Sequence, residues 1–108
     1  MNAAEFVACW KRTKDQLLLT YTDAQQETDV AGKIASMDLT PQQLAIMHDV
    51  LDGVLTDSFY TLLLGLDGAT EIGGIQQSYQ IHDKDGNLIS DCGDLEVEAW
   101  EQFHGEAT

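Results

Sequence analysis

From Ala3 to Tyr21 the chain alternates apolar and polar side chains at the spacing of a helix. Phe6, Val7, Trp10, Leu17, Leu18 and Tyr21 fall near one face, and Lys11, Arg12, Lys14 and Asp15 populate the other. Asp23, followed three residues on by Gln26, resembles a capping box; it predicts a second helix through Val30, Ile34 and Met37, weakened by Gly32. The strongest start signal is Thr40-Pro41-Gln42-Gln43. Here the Thr40 hydroxyl can accept from the first free amides, Pro41 has no amide to lose, and Gln43 can reach back to the cap. Leu44, Met47, Val50, Leu51, Val54 and Leu55 continue at helical spacing, so a third helix is expected from 41 to about 55. Asp57 or Ser58 can cap a further helical segment, either separate from the third helix or continuous with it. Its run of Phe59, Tyr60, Leu62, Leu63, Leu64 and Leu66 is apolar nearly all round, the mark of the most buried element.

The pattern changes at Gly65, where Asp67-Gly68 and Gly73-Gly74 signal turns. From Ile75 the reading is extended: Ile75, Gln77, Tyr79 and Ile81 share one face of a strand, Asp83-Lys84-Asp85-Gly86-Asn87 turns, and Leu88-Ile89-Ser90 returns. A two-stranded hairpin is marginal alone and must pack on helices. After Cys92-Gly93, Asp94 caps a last helix bearing Leu95, Ala99, Trp100 and Phe103, which Gly105 ends. The expected fold is α+β and mostly helical, with about four to five helices and a β-hairpin at about 75–90 before a C-terminal helix. Trp10, Phe59, Trp100 and Phe103 are the expected core anchors.

A chain of 108 residues with 44% apolar content suits one domain over residues 1–108 and is a poor match for disorder. No apolar stretch approaches the ~18 residues a membrane span needs, and the first residues lack the basic start and apolar run of a secretory signal. Cys9 and Cys92 therefore read as two reduced thiols, Cys9 as a small core hydrophobe, and the expected compartment is the cytoplasm. Charge alters the picture more. Five Lys and Arg face nineteen Asp and Glu, for a net charge of −14. Residues 1–37 hold four basic side chains against five acids, a net of −1; residues 38–108 hold Lys84 alone against fourteen acids, a net of −13. Such a chain lacks the basic patches that nucleic acid or an anionic membrane surface requires, and its natural complement is a basic protein.

Asp83 to Asp94 invites comparison with a calcium-binding EF-hand loop. With Asp83 first, Asp85, Asn87, Asp91 and Asp94 take the third, fifth, ninth and twelfth positions, but Leu88 stands where the sharp turn needs glycine. Moving Gly86 there leaves Ile81 and Cys92 at the ends, so a hairpin turn is the better reading. Glu101 and His104 have the Glu-x-x-His spacing of di-iron bundles, which need two such motifs and two further glutamates. One copy at a helix end reads as His104 meeting the helix dipole. His48 can reach Asp52 one turn on, with no nucleophile or oxyanion donor identifiable beside them. The glycines at 65–68 and 73–74 match no phosphate-loop pattern, and a nucleophilic Cys9 or Cys92 would need a histidine beside it in space. No catalytic, cofactor-binding or metal-ligating residue is assigned, and an enzyme is not expected.

What remains is the run Asp91, Asp94, Glu96, Glu98 and Glu101 on and beside the last helix, with Asp83 and Asp85 at the hairpin tip. These seven form the expected partner-binding surface of a small acidic protein-binding module, of the inhibitor, immunity or DNA-mimic kind, docking on a basic partner. One alternative is a subunit of a homo-oligomer or larger complex, with the Leu-rich 59–66 segment partly at an interface. The other is a small metal-binding protein or enzyme using its carboxylates. Direct nucleic-acid contact, a membrane and a cofactor are not expected.

Overall fold

Two helices start on complete capping boxes, the expected one at Thr40 and a second at Asn2. In α1 (Ala3–Thr22) Asn2 accepts from the Glu5 amide at 2.9 Å while the Glu5 carboxylate accepts from that of Asn2, and in α3 (Pro41–Leu66) Thr40 and Gln43 make the same reciprocal pair. Between them lies α2 (Asp29–Ser36), and after α3 come β1 (Ile81–His82), β2 (Leu88–Ser90) and α4 (Asp94–Phe103). The computed structural model describes residues 1–105, and these four helices with one antiparallel hairpin are its elements. The mostly helical α+β architecture with a hairpin before a last helix is therefore observed.

Three boundaries differ from expectation. The second helix starts at Asp29 under a Thr28 cap, because Asp23 instead closes a turn in which its carboxylate accepts from the Gln25 amide at 2.9 Å. α3 does not stop near 55 but runs 26 residues, about 39 Å. Asp57 and Ser58 sit exposed within it, since α1 lies alongside both halves and holds them in line. Trp10 packs edge-on to Phe59 at 5.6 Å, Lys14 pairs with Asp52, and Thr22 shares a cleft with Pro41 and Leu44. The first strand, finally, is two residues long. The Gly73-Gly74 turn pairs Ile75 with Ile72 through both backbone groups, which removes Ile75 from any longer ladder.

Val7, Leu63, Leu95, Ala99 and Phe103 form the core, with Phe6, Trp10, Phe59, Tyr60, Leu66 and Ile81 packed around it. Three of the four expected anchors belong there. Trp100 does not: Leu95, Ala99 and Phe103 point inward at four-residue spacing, which turns Trp100 outward, 56% exposed. Nor is the 59–66 run uniformly buried, for Leu62 is 48% exposed. The shape is drawn out, 48 × 34 × 25 Å with a radius of gyration of 16.4 Å. No helix among the described residues is long and apolar enough to cross a membrane.

Candidate functional site

The start of α4 is set by one buried side chain, Asp67, which the sequence suggests only as part of a turn. Asp67, 2% exposed, follows the last residue of α3 and reaches the first turn of α4. Its Oδ1 accepts the backbone N–H groups of Gly93 and Leu95, each at 2.9 Å, and its Oδ2 accepts that of Glu96 at 3.0 Å. These are the amides a helix leaves free at its N-terminus, where the dipole also favours negative charge. The expected cap, Asp94, is not the cap. Gly93 holds that position in a left-handed conformation (φ 94°) that costs glycine little, and it has no side chain to offer. Asp94 accepts from the Asp91 amide at 2.9 Å, and Asp91 from that of Cys92 at 2.8 Å, so both shape the turn into α4.

At the hairpin tip Asp83 is committed to the turn. Its Oδ1 accepts the amides of Asp85 (2.9 Å) and Asn87 (3.0 Å), its Oδ2 accepts the Asn87 side-chain amide (3.0 Å), and Gly86 turns at φ 85°. The Asn87 backbone N–H, followed by its side-chain amide, holds the Asp83 carboxyl below the usual 3.8. Asp85 stays exposed beside it.

On α4 the exposed side carries Glu96, Val97, Trp100, Glu101 and His104, while Glu98 lies half-buried on the flank. Trp100 does not stand alone. Its ring centroid is 6.1 Å from that of Tyr60 and 5.2 Å from His104, and Tyr60 meets His104 edge-on at 4.6 Å. The helix thus presents a propped aromatic and Val97 (61% exposed) between carboxylates at 96 and 101. The seven sequence-predicted residues fall into three groups: the tip (Asp83, Asp85), the entry turn (Asp91, Asp94) and the helix (Glu96, Glu98, Glu101). Sequence reasoning missed the aromatic centre because it assigned Trp100 to the core. The signal was present in the position of Trp100 one residue past Ala99, off the 95–99–103 stripe.

Other chemistry-bearing groups are engaged differently than expected. Lys14, read as surface, is 4% exposed and paired with Asp52 and with Asp15 (3.4 Å). The Lys14 hydrogen bond holds the Asp52 carboxyl below 3.8, against a smaller opposing effect of burial. His48 therefore lies nearest Asp49, at 3.9 Å, while Asp52 turns to the lysine. Cys9 is half-buried, accepts from the Arg12 guanidinium at 3.1 Å, and lines an apolar cleft with Phe6, Trp10 and Phe59. Cys92 is exposed; both are free thiols. Among the described residues no group of three or more His, Cys, Asp or Glu side chains is placed to hold a metal ion. Comparison of the chain with protein-family models, with curated proteins and with solved structures returned no match.

Proposed function

We propose that the protein is a small acidic binding module that docks on a basic protein through α4 and the adjoining acidic turns. The observation that carries this reading is the exposed Trp100, braced by Tyr60 and His104 and bordered by Glu96 and Glu101. Protein interfaces of high affinity concentrate their energy in a few aromatic anchors inside a polar rim. Here the rim is anionic, so Lys and Arg of the partner would find carboxylates and an indole face together. The net charge of −13 on residues 38–108 adds long-range attraction that speeds encounter and fades with salt.

Binding to a panel of folded basic proteins, measured by interferometry at several salt concentrations, tests the reading. A partner bound in a salt-sensitive manner should lose about tenfold or more in affinity to Trp100→Ala. The double reversal Glu96→Lys, Glu101→Lys should slow association, with the helical circular dichroism of both variants unchanged. Absence of salt-sensitive binding across the panel, or equal binding by all three proteins, removes the reading.

A further inference from the structure

A compact protein of 11.9 kDa has an accessible surface of about 6,000 Å², and one of 108 residues a radius of gyration of about 13 Å. This chain exposes 7209 Å² and has a radius of 16.4 Å, an excess of roughly 1,200 Å² over that scaling. The excess exceeds the roughly 800 Å² each partner buries in a standard interface. Exposed large apolar side chains contribute to it, and three of them stand in a row on α3. The first two-thirds of α3 pack against α1 on one side only, leaving Ile46 64%, Val50 53% and Val54 54% exposed in a row at four-residue spacing. Beside them Leu39, Gln43, Met47 and Val50 line a shallow groove.

We infer that this face of α3 binds a second copy of the chain, the two helices crossing antiparallel about a two-fold axis at Val50. Charge selects the occupant. On a chain of net −14 the strip positions Gln43, Ile46, Met47, Val50 and Val54 carry no ionic group, with exposed Asp49 on the flank and Asp52 turned to Lys14, and the anionic surface assigned to a basic partner lies elsewhere, on α4. The order of residues is also self-complementary, as a two-fold interface demands. About Val50, Ile46 meets Val54 of the second copy, and Gln43 meets Asp57, an amide donor against a carboxylate. Met47 meets Gly53, where a Cβ would find nothing within 4 Å and a thioether therefore finds room.

Sedimentation equilibrium over a wide concentration range should give a mass of about twice 11.9 kDa, with dimerisation tightening as salt is added. Val50→Glu sets two carboxylates against each other on the axis and should weaken the dimer by about 100-fold or more. Val50 is half in solvent already, so the monomer should keep its helical circular dichroism. In a Cys9→Ser, Cys92→Ser background, Val50→Cys should cross-link to a disulfide dimer on oxidation, whereas Val54→Cys should do so only when mixed with Ile46→Cys. A monomer mass at every concentration, a dimer indifferent to Val50→Glu, or cross-linking of Val54→Cys with itself overturns the inference. Glu96→Lys, Glu101→Lys leaves this face untouched, so the dimer and the basic partner stand or fall separately.

Discussion

At the scale of single residues the molecule turns on two buried charges that local patterns misplace. Asp67→Ala strands three amides at the head of α4 and should cost about 2–4 kcal/mol, a fall of about 10–20 °C in melting temperature for a domain of this size. Urea denaturation and thermal melts check it. Asp52→Asn leaves the Lys14 ammonium buried with only Asp15, and should destabilise by about 1–2 kcal/mol after allowance for the solvent around Asp52. Lys14→Met, which keeps the apolar stem and removes the charge, should cost less than Asp52→Asn in the same urea titration. The pH dependence has a definite sign. Because the folded-state value of Asp52 is depressed, its contribution is complete above 3.8, and disappears as pH falls through the lower folded value. The stability gap between the parent and Asp52→Asn should therefore be constant at roughly pH 5–7 and close in stronger acid. The spacing set Lys14 on the polar face with Lys11, Arg12 and Asp15, whereas it is buried on the same side as Val7 and Leu18. Spacing could not show that α3 would bring Asp52 against it, 38 residues on.

At the scale of elements, the apolar stripes of the helices were readable, while their ends were misplaced where two local caps compete, as Asp23 and Thr28 do before α2, or where a distant partner sets them. Thr40/Gln43 stands next to the amides it caps and was legible, whereas the equally local Asn2/Glu5 pair was passed over and the first helix rested on its apolar stripe. The continuity of α3 through Asp57 and Ser58 is supplied by α1, and the start of α4 by Asp67, 26 residues before Gly93. Neither cause is local. α2 is the short helix whose interior glycine has a plain remedy. A Cβ at Gly32 meets nothing within 4 Å and its φ is not left-handed, so Gly32→Ala should raise stability by about 0.5–1 kcal/mol. A higher urea midpoint at unchanged slope is the expected result.

For the whole molecule, charge was readable as a quantity and only partly as an arrangement. The excess after Asp38 and its clustering near residues 83–101 follow from composition. Asp83, Asp91 and Asp94 are occupied by amides one to four residues away, which is local turn chemistry; that Glu96 and Glu101 border an aromatic needed the inward face of α4 to be known. A net charge of −14 opposes compaction, so added sodium chloride should raise the melting temperature, most steeply at low ionic strength where screening lengths are long. The pairing of α1 with α4 carries a different consequence. Val7 belongs to the cluster that Leu95, Ala99 and Phe103 complete, and Gln102 donates to the Ala4 carbonyl at 3.1 Å across 98 residues of chain. On a ribosome adding about 5–20 residues per second, that separation is roughly 5–20 s during which α1 has been made and α3 alone can cover its apolar side. Of the four helices described, α1 is made first and α4 last, so the core around Val7 closes only when the final helix arrives.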